Sequence, residues 1–260
     1  MIKKVQKMTK NEEILNQLKN ADNLPRHIAV IMDGNGRWAG QRGLNRVKGH
    51  REAIKSVRDV VEACAELEID ILTLYTFSME NWKRPRDEIS ALMHLLVNTI
   101  RDELNDLIKN NVRLITIGQL EDLPLLTRKS LNYAIEKTQH CTGLTLNLAL
   151  SYGGRREIVD VTKVISQKVK SGEISIDDID EVLFSNFLYT ANLPDPDLLV
   201  RTSGEARLSN FLLWQLAYTE IYITDVLWPD FRRDNLYQAI QSYQKRERRY
   251  GRVSEQLLPS

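Results

Sequence analysis

His27-Ile28-Ala29-Val30-Ile31-Met32-Asp33-Gly34-Asn35-Gly36-Arg37-Trp38 is the stretch on which the fold turns. Residues 28–32 are apolar without interruption, and an acid, two glycines and a base follow. A short apolar run that meets glycines reads as a buried strand entering a tight turn. Residues 47–67 have helical periodicity, so the turn is expected at the carboxyl end of a strand, facing a helix. Open α/β sheets bind their ligands there.

The chemistry of the turn narrows the ligand. Gly34 and Gly36 carry no Cβ, so backbone N–H groups can come close to a bound group. N–H groups near a helix start attract anions, and the fork of Arg37 suits phosphate oxygens. Asp33 alone would repel phosphate. A Mg²⁺ ion between the two resolves this, because Mg²⁺ binds through one or two carboxylates plus substrate phosphates. The plain alternative is a glycine-rich turn with a solvated Asp33. Gly34-x-Gly36-x-x-Ala39 also fits the dinucleotide fingerprint. That reading wants an acid closing the second strand, where this chain has Thr76-Phe77-Ser78, and it is set aside.

The bounds are those of an ordinary globular chain. Its 260 residues suit one large domain, with 42% hydrophobic and 27% charged residues. A net charge of +1 argues against a dedicated nucleic-acid binder. Cys64 and Cys141 have no metal or redox spacing, and His27, His50, His94 and His140 form no ligand pair. Both thiols read as core residues of a protein in a reducing cytoplasm. No apolar leader is apparent, and no run approaches the roughly 20 apolar residues of a membrane span.

Working outward, residues 1 to about 23 are polar and Lys-rich, with Ile14, Leu15 and Leu18 on a weak stripe: a peripheral helix or partly disordered arm. In the helix at 46–67, Arg46 and His50 stand four apart on one face, near the Asp33 turn. A second strand at 69–77 runs into Ser78-Met79-Glu80-Asn81-Trp82-Lys83-Arg84-Pro85. A long helix at 86–110 carries a wide apolar face through Leu92, Met93, Leu96 and Ile100. Periodicity cannot tell plain core packing there from the wall of an apolar tunnel. Further strands are expected at 112–118, 144–150, 197–201 and 221–224, with helices at 124–139, 158–169, 176–188 and from 235. The run Lys245-Arg246-Glu247-Arg248-Arg249-Tyr250 reads as a solvated face. Alternation of strands and helices implies one α/β domain: a mostly parallel six-stranded sheet with helices on both faces.

The strand ends collect Asp33, Gly34, Gly36 and Arg37; Ser78, Glu80, Asn81 and Arg84; Gly153 and Gly154; and Arg201, Arg207 and Ser209. Arginines and backbone donors outnumber acids, and no Ser-His-Asp or Cys-His set is evident. There is no G-x-x-x-x-G-K-[ST], which disfavours a P-loop nucleotide enzyme. The pattern suits a heavily anionic substrate and stabilisation of a leaving phosphate.

At several long motifs the chain resembles the cis-prenyltransferases. They are residues 27–38 and 77–85, Arg201-Thr202-Ser203-Gly204-Glu205, Arg207-Leu208-Ser209-Asn210-Phe211-Leu212-Leu213-Trp214-Gln215, and Thr224-Asp225-Val226-Leu227-Trp228-Pro229-Asp230-Phe231. The resemblance runs in order from about Pro25 to Arg252. It divides the chain into a polar arm (1–24) and a catalytic domain (25–260). It implies Mg²⁺-dependent condensation of isopentenyl diphosphate onto farnesyl diphosphate, giving a long polyprenyl diphosphate such as undecaprenyl diphosphate, the lipid carrier of cell-wall synthesis. It also implies a homodimer, an apolar tunnel beside the sheet, and at most peripheral contact with the inner face of the membrane through the product.

By position in the motifs, Asp33 resembles the family's essential aspartate at the metal, and Glu220 a glutamate assigned to Mg²⁺. Gly34, Asn35, Gly36, Arg37, Arg46 and His50 resemble the allylic diphosphate pocket. Trp38 and Trp82 match aromatics near the substrates. Ser78 and Asn81 resemble the pair near the proton that is removed, and Arg201, Arg207 and Ser209 the isopentenyl diphosphate pocket. Met79, Glu80, Arg84 and Leu208, inside the matched motifs, are counted with the substrate-binding residues. An amide is a weak base, so Asn81 is read as orienting the proton's path. Ala206 stands where the family often has His, and Met79 where small residues are common. Leu144 is the expected far end of the tunnel. The alternatives are a non-catalytic subunit of a heteromeric prenyltransferase, which tends to lose the acid and the Asn-Trp-x-Arg loop kept here, or another Mg²⁺-dependent phosphate or nucleotide enzyme.

Overall fold

The computed structural model describes residues 10–21 and 23–246. The elements run α1 (Lys10–Lys19), β1 (His27–Ile31), α2 (Asn35–Gln41), α3 (Arg46–Glu66), β2 (Ile71–Ser78), α4 (Arg86–Lys109), β3 (Arg113–Ile117), α5 (Leu125–Thr138), β4 (Thr145–Tyr152), α6 (Gly154–Ser171), α7 (Glu181–Ser185), β5 (Leu198–Arg201), β6 (Glu220–Ile223) and α8 (Arg233–Gln244). The strands form one sheet in the order β3-β4-β2-β1-β5-β6, and every neighbouring pair is parallel.

The apolar run of β1 explains its place. All five of its residues are buried, which requires strands on both edges and packing on both faces. Ile28 lies opposite Leu72 of β2 and Leu198 of β5. Ile28 and Val30 join the larger core, with residues of α3, α4, α5 and α8. Ala29 and Ile31 point the other way, toward Phe211, Leu212 and Leu216. That second face is covered chiefly by the irregular segment 208–216. α6 and α7 pack around Trp214 at its flank, with Phe184 and Trp214 rings 4.5 Å apart.

Two elements differ from expectation. α2 follows β1 almost at once, although Asn-Gly-Arg-Trp-Ala-Gly-Gln has poor helix propensity. Packing supplies what propensity lacks: a Cβ at Gly49 of α3 would lie 2.2 Å from the Asn35 carbonyl oxygen, so only glycine lets the two helices touch. The N-terminal stripe is also more than a surface feature. Leu18 is 1% exposed and belongs to the main core, and Gln244 of α8 donates to its carbonyl at 3.1 Å. Residues 1–9 and the basic run beyond Arg246 lie outside the described residues. Among the described residues no helix is long and apolar enough to cross a membrane, and Cys64 and Cys141 are free and buried.

From β1 the chain turns to β2 on one side, and it returns later to place β5 on the other. The carboxyl ends of β1 and β5 therefore border a topological switch point, the usual ligand crevice of such sheets.

Candidate active site

Asp33 lies two residues past the end of β1 and is held by its backbone and by both carboxylate oxygens. Its Oδ1 accepts from the Gly34 N–H at 2.7 Å, and its Oδ2 from Arg201 Nη2 at 2.9 Å. Thr202 accepts from the Asp33 N–H at 2.9 Å and donates to its carbonyl at 2.7 Å. Gly34 has φ +108°, and a Cβ there would meet Leu227 at 2.9 Å, so glycine is required for both conformation and space.

Arg201 ends β5 with a side chain only 4% exposed. It bonds to Asp33 on one side; on the other it donates to Ser209 Oγ at 2.8 Å and to the Arg207 carbonyl. It is thus the link between the Asp33 turn and the 207–209 segment, with its buried Nε unpartnered. Arg37 donates to Ser203 and pairs with Glu205 at 3.2 Å, and Glu205 also pairs with Arg207. Ser203, Ser209, Asn210 and Leu212 all have positive φ. Non-glycine residues hold such angles only where surrounding packing over-determines them. Glu157, 1% exposed, supplies part of that packing: it accepts from Tyr152 Oη at 2.6 Å, the Tyr189 N–H at 2.9 Å and Gln215 Nε2 at 3.2 Å.

Across the crevice, Ser78 and Asn81 cap the short 3-10 turn Met79–Lys83 reciprocally. The Ser78 N–H donates to Asn81 Oδ1 at 3.1 Å, which leaves Nδ2 as the free end of that amide. Glu80 accepts from Asn210 at 2.9 Å, and Met79 sulfur lies 3.2 Å from Ser151 Oγ.

The mouth of a cavity gathers Asp33, Gly34, Asn35, Gly36, Arg46, His50, Asn81 and Arg84. Glu88 holds the bases together: its Oε1 lies 3.1 Å from Arg84 and 3.7 Å from Arg46. Its spacing four residues after Arg84 is a sequence signal that the motif reading passed over. Burial, with Arg84 and Arg46 nearby, lowers the His50 pKa to about 4, so the ring is neutral at pH 7. Its Nδ1 lies 3.2 Å from the Asn35 amide nitrogen. His50 Nε2 and Asn35 Oδ1 are buried without partners. Buried polar atoms left unpaired cost free energy, so their presence at a basic mouth marks a place for a polar ligand.

Behind the mouth the cavity, about 310 Å³, runs between α3, α4 and the sheet. Ile54, Val57, Leu92 and Leu96 line it, and Leu114, Leu146 and Val112 lie at its foot. This explains an oddity of α4: despite its wide apolar face, only Met93 and Ile100 are fully buried. Leu92, Leu96 and Leu107, half-buried members of that stripe, look onto the cavity. Leu144 is buried just before β4 and packs in the same core, but it is not on the wall.

Other expected site residues stand apart. Trp38 donates to Asp230 at 2.7 Å under Arg42, and Trp82 to Ser151 at 2.8 Å against Phe77, so neither ring lines the cavity. Leu208 packs with Phe211 and Leu212 below the sheet. Glu220 begins β6 opposite Leu198, at the far end of the sheet from Asp33, and pairs with Arg246 at 2.6 Å. It is not brought to Asp33 within one chain. Among the described residues no three His, Cys, Asp or Glu side chains form a metal cage. A lone carboxylate still fits Mg²⁺ that completes its shell with substrate phosphate and water.

The Prenyltransf family model, described as "Putative undecaprenyl diphosphate synthase", matches residues 31–251. The chain belongs to the undecaprenyl diphosphate synthase family of prenyltransferases. It is 54% identical to an isoprenyl transferase of Chlorobaculum tepidum, over 92% of this chain and 91% of that one. It is 50% identical to the farnesyl-diphosphate-specific ditrans,polycis-undecaprenyl-diphosphate synthase of Micrococcus luteus, over 93% and 97%. Lavandulyl diphosphate synthase of Lavandula x intermedia, solved with dimethylallyl diphosphate, superposes with a TM-score of 0.86 at 36% identity, over 88% of this chain and 98% of that one. In this undecaprenyl diphosphate synthase family member the basic crevice and the apolar cavity open into one another, as joining prenyl units requires.

Proposed function

We propose that the protein extends farnesyl diphosphate by successive cis condensations with isopentenyl diphosphate, giving a long polyprenyl diphosphate. The single observation that carries this is the continuity of the basic mouth with the α3–α4 cavity. A substrate with a diphosphate head and an apolar tail matches both halves at once.

Arg46, Arg84, His50 and Asn35 would receive the allylic diphosphate, with the prenyl tail in the cavity. Charge-assisted bonds from guanidinium are the strong ones for phosphate, and a neutral His50 with its ring proton on Nε2 adds a donor. Arg207 and Ser209, joined to Asp33 through Arg201, would hold isopentenyl diphosphate. Placing both substrates in one crevice makes their meeting effectively unimolecular. One carbon–carbon bond forms, the allylic carbon–oxygen bond breaks, and a proton passes to diphosphate or water. With its Oδ1 engaged by Ser78, Asn81 serves by orienting the isopentenyl group through Nδ2 rather than by taking the proton. Asp33 would hold Mg²⁺, which supplies charge neutralisation for the leaving diphosphate. Exposed Ile221 and Ile223 on the edge strand β6 support a homodimer.

The test is purified protein with farnesyl diphosphate, labelled isopentenyl diphosphate and Mg²⁺, with products resolved by length. Long products that vanish with excess chelator and return with Mg²⁺ are expected. No elongation, or elongation indifferent to chelator, overturns the reading. The non-catalytic alternative is disfavoured by the intact Asp33 and Asn81-Trp82-Lys83-Arg84.

A further inference from the structure

The cavity's walls are unequal. One side is the hydrogen-bonded sheet, close-packed and unyielding. The other is formed by α3 and α4, which face each other across the cavity through half-buried apolar residues such as Val57 and Leu96. Charge bridges this seam at two places. Arg46 and Glu88 meet at the mouth. Further in, Arg58 Nε donates to Glu103 Oε2 at 3.1 Å and its Nη2 to Oε1, a bidentate pair on the cavity's rim. The Arg58 side chain is 54% exposed and that of Glu103 18%, so the pair sits where the cavity meets solvent.

At about 310 Å³ the cavity is near the lower end of the range of about 300–1,000 Å³ for pockets that hold drug-sized ligands. A chain lengthened at every cycle outgrows it. The sheet cannot yield without breaking strand pairing, whereas parting α3 from α4 breaks no strand pairing and opens residues that already face the cavity, such as Val57 and Leu96. When the pair opens, Arg58 keeps an acid beside it. Glu62, one turn along α3, and Asp106, one turn along α4 from Glu103, both act on the Arg58 guanidinium.

We propose that Arg58–Glu103 is a product-length determinant: a strap across the α3–α4 seam that confines the growing prenyl chain, so that its firmness sets the length at which the product is released. A loosened strap lets the tail spill through the seam while the head stays bound, and elongation continues. The inference rests on the elongation activity proposed above.

The test compares the parent with Arg58→Glu, Glu103→Arg, the double swap and Glu103→Gln. Product lengths are measured beside a single-condensation assay and thermal melting. Both charge reversals should shift the product distribution to longer chains, by at least an isoprene unit. The swap, which rebuilds the pair in the opposite sense, should return it toward the parent. Glu103→Gln, which keeps shape but drops the charge, should shift it the same way by less, and carries the test if a reversal fails to fold. Unchanged or shorter products in the variants, or a shift that the swap does not reverse, overturn the strap. A parent that performs no first condensation overturns the function reading instead.

Discussion

Replacing Asp33 in two ways separates its chemistry from its place in the fold. Asp33→Asn keeps the shape and one acceptor but loses the charge; Asp33→Ala removes both. The alanine leaves Arg201 Nη2 and the Gly34 N–H without their acceptor, beside a guanidinium that is 4% exposed. Removing one partner of a fully buried pair costs about 3–5 kcal/mol, while an exposed pair contributes about 0–1 kcal/mol. Asp33 is 33% exposed, so the pair falls between these limits. A loss of about 2–3 kcal/mol follows for the alanine variant, and for a chain of this size that is a melting point lower by about 4–12 °C. The asparagine should lose about half as much. Catalysis should not distinguish them, with both variants falling about 10²–10³-fold in kcat, the usual cost of removing a group that offsets charge in the transition state. Farnesyl diphosphate affinity should change little in either. Steady-state kinetics, direct binding and thermal melting on the same preparations decide the matter. Near-parent kcat in Asp33→Asn would refute the metal-holding role. An unchanged melting point in Asp33→Ala would show that the Arg201 pair does not hold the turn.

Arg207→Ala should raise the KM for isopentenyl diphosphate about ten- to hundred-fold, from the loss of charge-assisted bonds worth about 1.5–3 kcal/mol; an equal loss of farnesyl diphosphate affinity would defeat the two-pocket assignment. Leu146→Trp, at the cavity's foot, should shorten the products while the first condensation persists, and unchanged product lengths on chromatography would remove Leu146 from the wall. His27 and His50 both have pKa values lowered to about 4, chiefly by burial. The unfolded chain therefore takes up these protons first, so stability is complete above about pH 6.5 and declines as pH falls toward 4. Urea midpoints across that range should show the slope and His27→Gln should reduce it; a flat profile contradicts the burial argument.

Much of this architecture is legible before folding because it rests on local rules. Five consecutive apolar residues before Asp33 require a strand buried on both faces, and β1 is the centre of the sheet for that reason. Arg46 and His50, four apart, must share a helix face, and both stand at the mouth. The seven residues of α2 were not legible, because that helix exists through contact with Gly49 rather than through its own propensity. Nor could periodicity tell that α4 faces an opening. A helix stripe records that its side chains avoid water, and a packed core and an apolar cavity satisfy that equally. The burial of Leu18, the separation of Glu220 from Asp33 and the grip of Arg201 on Asp33 were likewise settled by tertiary structure. Each joins or parts residues far apart in the chain, and sequence spacing constrains side-chain geometry only within a turn or a strand pair.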